Sequence, residues 1–425
     1  MSQHAMPELP RDILLKVFHE VFPPPFYLIQ DHWCGGYFIP IDNPVFVARK
    51  SLHNIANITL VCKSWNAVAT EILFSRVVIR NEEALRKFSA VLVESPPLGL
   101  FVKGIWLSMR PLGPSKSSDI TLNIHRGRNA DSVEELFPAA LRYCIFIQTL
   151  VLDIDLTKHS SGFISWNNAF LQRSLLADRL RILSVYYNLS TTARMDVMPS
   201  NMVLSRLEEL TLCWTIFPMR YTFPVLAHCH TLRLISTTID LKNAASEQEM
   251  LSISSISFPS LKRLCVHGSL DPIEVDDQCL EGLESLHLVG WLSRKIYELW
   301  EERSDEIGDD LQELHLELEY PIRRLPHRSL RTLVVYGLQG PQIYGYYGIE
   351  DPYVGNLRNL HSSLVRHLPR CTLFSKLVIK LGPVARPVVE VFHMVMGEIK
   401  RMCDSRGVLL QVEVFHVGQY VDYLV

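Results

Sequence analysis

One short apolar template recurs through most of the chain and constrains its fold more than any other feature. The template is an apolar residue, two residues of any kind, an apolar residue, one residue of any kind and a third apolar residue. Clear copies are Leu207-Glu-Glu-Leu-Thr-Leu212 and Leu283-Glu-Ser-Leu-His-Leu288. Copies begin at positions 102, 147, 180, 207, 229, 261, 283, 311, 330, 374 and 409. The alternation at the end of each copy predicts a short strand with one buried face.

The repeat implies a particular kind of core. A single copy cannot bury its own apolar face, so neighbouring copies must stack and share one continuous core. We therefore expect parallel strands, each followed by an irregular or helical return segment. The central copies are spaced close to the roughly 20–29 residues of leucine-rich repeats, and residues 77–425 resemble an irregular leucine-rich-repeat domain. That resemblance implies an α/β solenoid with parallel strands. An ordinary mixed α/β domain whose strands share the template is the alternative.

The first 76 residues carry a different pattern, which predicts three short amphipathic helices. The first helix has an apolar stripe at helical spacing, formed by Ile13, Leu14, Val17, Phe18 and Val21. Pro10 suits its first turn, and Pro23 ends it. A second helix is expected near Ser51, and a third after Ser64, a candidate N-cap. The third stripe consists of Trp65, Val68, Ala69, Ile72 and Leu73.

Two segments of this region together resemble the F-box. The Leu-Pro start of that module, with the Ile/Leu-rich helix that follows, is matched by Leu9-Pro10-Arg11-Asp12-Ile13-Leu14. Its end, with a hydrophobic pair, a small residue, a basic residue and a tryptophan, is matched by Leu60-Val61-Cys62-Lys63-Ser64-Trp65. The intervening residues 23–51 form an unusually long insert for this family. The resemblance therefore covers residues 1–76.

The F-box resemblance implies a docking function. Such modules bind a Skp-type linker protein and, through it, the cullin of an SCF ubiquitin ligase. Three short helices cannot bury all their apolar faces among themselves, and an exposed apolar stripe is a surface for a partner. The candidates for the linker contact or its immediate support are Leu9, Pro10, Ile13, Leu14, Val17, Leu60, Val61 and Trp65. The alternative is that the helices cap the following domain, with Trp65 in its core.

Composition narrows the class of protein. Hydrophobic residues make up 48% of the 425 residues and charged residues 20%, so a substantial core can form. The net charge of -3 shows no excess of basic residues, which argues against a nucleic-acid partner. The nine cysteines are too widely spaced for a zinc knuckle or a disulfide framework. No signal peptide is visible and the most apolar stretch is interrupted by charges, so we expect no membrane partner and a cytoplasmic or nuclear location.

No motif in the sequence indicates catalysis. We find no nucleophile elbow, no phosphate-binding glycine loop, no HExxH helix and no CxxC pair. His228 and His230 flank Cys229 at the start of a repeat strand. We interpret them as solvent-facing neighbours of a buried cysteine and not as metal ligands. The sequence therefore predicts no catalytic residue, no metal and no cofactor.

A tyrosine-rich segment at residues 340–356 is the candidate recognition surface of the repeats. It combines Gly and Pro with four tyrosines, which indicates a loop, and loops of this kind are common at interfaces. The candidate substrate-binding residues are Tyr344, Tyr346, Tyr347 and Tyr353. A tyrosine-packed flap over the last repeats is the alternative.

The order of the two regions, together with both resemblances, predicts a function. It implies a non-enzymatic substrate-recognition adaptor of a Skp-cullin-F-box ubiquitin ligase. The F-box would dock the linker, and the repeats would bind a protein substrate that the sequence does not identify. The alternative is a repeat-based interaction scaffold with a degenerate F-box that is not coupled to a ligase.

Overall fold

The computed structural model describes a little over half of the chain, in a series of separate segments. The described residues are 10–21, 56–57, 60, 62–79, 81–108, 133–154, 178–187, 203–213, 216–217, 221–235, 238–239, 251–267, 273–289, 296, 298, 310–318, 322, 325, 329–337, 352–381 and 389–414. The insert at 23–51 and the helix expected near Ser51 lie outside these segments, except for the last few residues of that helix.

The fold is α/β, with strands that follow the sequence template. The strands are β1 Arg76–Ile79, β2 Gly104–Ser108, β3 Thr149–Ile154, β4 Ile182–Tyr187, β5 Glu209–Cys213, β6 Ile216–Phe217, β7 Thr231–Ile235, β8 Thr238–Ile239, β9 Leu251–Ile253, β10 Arg263–His267, β11 Ile273–Val275, β12 Ser285–Val289, β13 Glu313–Glu317, β14 Thr332–Gly337, β15 Lys376–Leu381 and β16 Leu409–Val414. Twelve of them form one parallel sheet in the order in which they occur in the chain. The remaining four form two small sheets, β6 with β8 and β9 with β11.

Helices precede or follow several strands. They are α1 Arg11–Val21, α2 Lys63–Ser75, α3 Glu82–Glu94, α4 Val133–Leu141, α5 Asp277–Glu281, α6 Pro352–His367 and α7 Val389–Ser405. Short 3-10 helices span Pro96–Phe101 and Leu368–Arg370. In the part of the chain that the structure describes, no helix has both the length and the apolarity that a membrane crossing requires.

The template residues form continuous buried ladders across the sheet. In β7, β10 and β12 the second apolar residues, Leu232, Leu264 and Leu286, lie directly opposite one another, and none is exposed. The third apolar residues follow the same register two positions later. Because the side-chain period of a strand is two, both ladders face the same side, and the residue between them faces the other side.

The first strand of the sheet was not recognised in the sequence. β1 pairs in parallel with β2, and Ile79 lies opposite Leu107 with 1% of its surface exposed. The residues Phe74-Ser-Arg-Val-Val-Ile79 fit the template, but they follow helix α2 without a break, and this hid the copy.

The last copy is shifted by two residues from the sequence prediction. Leu410 and Val412 pair with the ladder residues Leu377 and Ile379, whereas Leu409 pairs with Lys376 and is 62% exposed. The physical reason is the turn after α7. Gly407 adopts a φ of 67°, and the Val408 N–H returns to the Cys403 carbonyl, so the strand can begin only after this turn.

One helix start also differs from the sequence prediction. α2 begins at Lys63, with Cys62 as N-cap in extended conformation, so Ser64 is already inside the helix. The Cys62 carbonyl accepts the Asn66 N–H at 2.8 Å, and no side chain caps this end. The helix therefore begins one residue before Ser64, and its N-cap is not the serine that the sequence predicted.

The chain divides into two compact units, one with the described residues up to 187 and the other with those from 203 onward. The first unit contains α1 to α4 and β1 to β4. The second contains the remaining strands and helices. The boundary expected at residue 76, between the F-box-like region and the repeats, stays a prediction.

Gly99 provides a test of packing in the first unit. It is buried in the 3-10 helix at Pro96–Phe101, and an added Cβ would lie 2.7 Å from the Tyr143 carbonyl carbon and closer still to its oxygen. We expect Gly99→Ala to lower the free energy of unfolding by about 1–3 kcal/mol, because backbone must shift. Urea unfolding measures the change.

A second glycine serves as the matched control. Gly397 lies in α7, and an added Cβ would meet nothing within 4 Å. Gly397→Ala should leave stability unchanged or raise it by up to about 1 kcal/mol, because alanine favours the helix. Equal stability of Gly99→Ala and the unsubstituted chain would contradict the packing described here.

Candidate functional site

The two halves of the F-box-like pattern pack against each other. The core between α1 and α2 consists of Leu14, Phe18, Val68, Ala69 and Ile72. The Trp65 ring lies edge-on to Phe18, with 5.6 Å between ring centroids. An ion pair between Arg11 and Glu71 also joins the two helices. The apolar stripes recognised in the sequence therefore face each other.

The structure divides the candidate linker-contact residues into exposed and buried groups. Ile13 and Val17 are 46% and 44% exposed on neighbouring turns of α1, and Leu60 is 83% exposed. Leu14 is 2% exposed and belongs to the core, and Trp65 is half-buried against it. The exposed group is available to a partner, whereas the buried group supports the helices.

Of the three remaining candidates for the linker contact, the structure describes one. Pro10 is exposed, and its carbonyl accepts the backbone N–H groups of Ile13 and Leu14 at 3.0 and 3.1 Å, which starts the first turn of α1. Leu9 and Val61 lie outside the described residues.

The tyrosine-rich segment is only partly described. Tyr344, Tyr346 and Tyr347 lie outside the described residues. Tyr353 lies in α6, which begins at Pro352, so the expectation of a loop through residue 356 was wrong. A proline is well suited to the first position of a helix, because its missing N–H would have no partner there.

The outer face of the main sheet carries a polar cluster in the second unit. The residue between two template leucines faces away from the buried ladders, and the register places Cys265, His287 and His315 opposite one another on β10, β12 and β13. Two positions earlier on the same face, Ser285 lies opposite Glu313. Three neighbouring strands therefore bring thiol, imidazole, hydroxyl and carboxylate groups together.

Hydrogen bonds and ring stacking hold this cluster. The His287 and His315 rings stack, with centroids 3.5 Å apart and planes within 11°. His315 Nε2 lies 2.9 Å from Glu313 Oε1, and its Nδ1 lies 2.8 Å from the Tyr336 hydroxyl. The Ser285 hydroxyl donates to Glu313 Oε2 at 3.2 Å and lies 2.9 Å from His287 Nε2.

Burial sets the protonation of the histidines. Burial lowers the pKa of His267 to about 3 and that of His287 to about 4, and neighbouring histidines add to the effect. Burial also lowers the pKa of His315, although Glu313 opposes this shift. The hydrogen bonds with His287 and His315 hold the pKa of Glu313 below its usual range. At neutral pH the histidines are therefore neutral, and Glu313 carries a negative charge.

Two sets of three side chains in this cluster have the composition of a metal site. The first is Cys265, His267 and His287, and the second is His287, Glu313 and His315. Within each set the potential ligand atoms lie within 4.8 Å of one another. Burial raises the pKa of the Cys265 thiol to about 12, so without a metal this cysteine is protonated.

No short-range spacing in the sequence marks this cluster, although a longer-range signal is present. Cys229 and its flanking histidines are close in sequence only, and the structure buries Cys229 and exposes His228, while His230 is half-buried. The residues that come together are those at equivalent positions of successive template copies. Cys265, His287 and His315 occupy the same position of three consecutive template copies, and parallel pairing in register brings such positions together.

Tyr336→Phe tests the hydrogen bonds of the cluster. Tyr336 is 3% exposed, and the substitution removes only the hydroxyl that meets His315 Nδ1. We expect the free energy of unfolding to fall by about 1–3 kcal/mol, because a buried ring nitrogen loses its partner. Urea unfolding of the purified chain measures the change.

A double-mutant cycle supplies the control. In a His315→Ala background the same Tyr336→Phe change should lower the free energy of unfolding clearly less, because the hydroxyl has no ring nitrogen with which to form a hydrogen bond. An equal cost in both backgrounds would show that the hydroxyl contributes through something other than His315.

Comparisons with known proteins do not assign the chain to a family. No family model matches it, and no curated protein matches it. The resemblances to the F-box and to leucine-rich repeats therefore rest on the residues quoted above and on the packing of those residues.

Proposed function

We propose that the chain is a non-enzymatic substrate-recognition adaptor of a Skp-cullin-F-box ubiquitin ligase. Residues 1–76 act as an F-box that docks a Skp-type linker protein, and through it a cullin. Residues 77–425 act as an irregular leucine-rich-repeat solenoid that binds a protein substrate. The adaptor works in the cytoplasm or the nucleus, and the ubiquitin chemistry belongs to its partners.

The packing of α1 against α2 is the observation that carries this proposal. The Leu-Pro half and the Lys-Ser-Trp half are far apart in sequence, yet Phe18 and Trp65 meet in one small core. The same packing leaves Ile13 and Val17 exposed one turn apart. Two exposed β-branched side chains on one helix face are suited to a partner's apolar groove.

The arrangement of strands supports the second half of the proposal. A leucine-rich-repeat solenoid needs parallel strands that pair in chain order, with their leucines in register on one side. The main sheet has parallel strands in chain order, and the face opposite the leucines carries paired charged side chains such as Arg233 and Lys380 beside buried apolar ones such as Val334. A polar face of this kind fits the recognition of a protein surface.

A second candidate function is a repeat-based interaction scaffold whose degenerate F-box is not coupled to a ligase. The long insert at residues 23–51 favours it, because the insert separates the two halves of the docking module. The two functions predict the same linker contact and differ in whether a cullin is recovered with it.

Ile13→Asp combined with Val17→Asp tests the docking surface. Burial of each side chain at an interface contributes about 1.5–3 kcal/mol, so the double substitution should weaken binding to a purified Skp-type linker protein at least about 100-fold. Isothermal titration calorimetry measures this affinity. Circular dichroism should be unchanged, because neither side chain belongs to the core between α1 and α2.

Val93→Asp is the matched control. Val93 is 59% exposed on α3, so this change also places a carboxylate at an exposed apolar site, and linker binding should be retained. Full-strength binding by the Ile13/Val17 double variant, or no binding by the unsubstituted chain, would overturn the proposal. Recovery of the linker without any cullin would favour the scaffold.

A further inference from the structure

The geometry of the polar cluster points to a metal site that is independent of the proposed adaptor function. We propose that His287, Glu313 and His315 bind one divalent transition-metal ion of the zinc class on the outer face of β12 and β13. Two imidazoles and one carboxylate are ligands that Zn²⁺ accepts, and three protein ligands leave one coordination position open.

The separations of the ligand atoms fit this ion. His315 Nε2 lies 2.9 Å from Glu313 Oε1, and His287 Nε2 lies 4.0 Å from Glu313 Oε2. Ligands placed at about 2.1 Å from a tetrahedral ion lie about 3.4 Å apart, between these two values. The His287 and His315 rings are stacked with their planes within 11°, so both rings must turn about their side-chain bonds before their in-plane nitrogen lone pairs converge on one ion.

Charge gives a second, independent reason for an ion at this position. The Glu313 carboxylate is half-buried and contacts Ser285, His287 and His315. The nearest basic residues on this face are engaged elsewhere: Arg233 pairs with Glu209 at 2.9 Å, and Lys380 pairs with Glu413 at 3.3 Å. Among the described residues no Lys or Arg pairs with Glu313, and a bound dication would supply the missing positive charge.

The groups around the three ligands are suited to hold them. When His315 binds metal through Nε2, its Nδ1–H donates to the Tyr336 hydroxyl, which lies 2.8 Å away and is itself buried. The Ser285 hydroxyl donates to Glu313 Oε2. Hydrogen bonds of this kind fix the orientation of metal ligands. Solvent can reach the site, because about a quarter of the His287 side chain and two fifths of the Glu313 side chain are exposed.

The neighbouring set Cys265, His267 and His287 is the competing location, since it shares His287. Cys265 and His267 are 8% and 2% exposed, so that set is closed to solvent apart from the shared His287. The set that contains Glu313 is open to solvent and already carries the negative charge. For these reasons we assign the ion to His287, Glu313 and His315.

The test uses the full chain, stripped with a chelator and titrated with Zn²⁺ in a calorimeter. We expect about one tightly bound Zn²⁺ per chain, and an increase of the unfolding temperature on its addition, because an ion that binds the folded chain stabilises it. His287→Asn and Glu313→Gln should each weaken this binding more than about 100-fold. Ser285→Ala should weaken it about 10-fold, as expected for the loss of a group that orients a ligand.

Matched substitutions outside the cluster are the controls. His228 and Glu274 are exposed, and His228→Gln and Glu274→Gln should leave Zn²⁺ affinity unchanged. Circular dichroism establishes that every variant is folded before its affinity is compared. Glu313→Gln keeps the size and shape of a half-exposed side chain and replaces one of its two acceptor oxygens by an NH2 group, so a folded variant is expected.

Co²⁺ distinguishes the two locations by its spectrum. At the proposed site it should show the visible absorption of a four-coordinate ion with nitrogen and oxygen ligands, without a thiolate charge-transfer band. A thiolate band that disappears in Cys265→Ser would overturn the assignment. So would Zn²⁺ binding that is unchanged in both His287→Asn and Glu313→Gln, or an unsubstituted chain that binds no Zn²⁺.

Discussion

The structure depends on one constraint, the in-register pairing of parallel strands whose template leucines must all be buried. A shift of a strand by one residue would turn its leucines to solvent and its polar residues into the core. In the second unit, Leu210, Leu232 and Leu264 are fully buried, as are their counterparts two positions later on β7 and β10, Leu234 and Val266. Each such side chain contributes about 1.5–3 kcal/mol when it is buried, so a misregistered strand would lose most of its stabilisation.

The same constraint decides what the outer face can do. Once the leucines fix the register, the residues between them are placed opposite one another whatever their chemistry. His287 and His315 are stacked because they occupy equivalent positions in adjacent strands, and Glu313 is near both because it lies two residues before His315. The composition of this face can therefore differ from strand to strand, with His315 opposite Val334, without a change in the leucine ladders. This separation of roles allows a repeat fold to carry a site on one side of its sheet.

Much of the fold could be predicted from the sequence, because the template combines strand periodicity with a regular spacing. Ten of the eleven copies place their strand two residues after the first apolar residue, whereas the copy at 409 is displaced by the turn at Gly407. The strand at Arg76–Ile79 was missed because helix α2 runs directly into it. Both errors occur where a helix is followed directly by a strand. The residues at such a junction fit the pattern of a helix and the pattern of a strand equally well.

The candidate site was harder to predict for a different reason. Metal ligands are usually sought at short spacings within one segment, whereas here each strand supplies one or two groups and the sheet brings them together. Ile13 and Leu14 show a related limit. Both belong to the stripe seen in the sequence, yet the first is 46% exposed and the second 2%. Periodicity predicts that a helix is amphipathic, but the packing partner decides which edge of its stripe is covered.

The joint between the helical pair and the first strands bears on how an adaptor could hold its substrate. The described residues that follow α2 form β1, α3 and the 3-10 helix Pro96–Phe101. The carbonyl of Ser75, the last residue of α2, accepts the Lys103 N–H at 2.9 Å, and the Lys103 carbonyl accepts the Gln148 N–H at 2.7 Å. The end of the helix is thus part of the hydrogen-bond ladder of the first unit. In the proposed adaptor, a protein bound at α1 would be positioned relative to these strands by the packing of α1 on α2 and by this ladder.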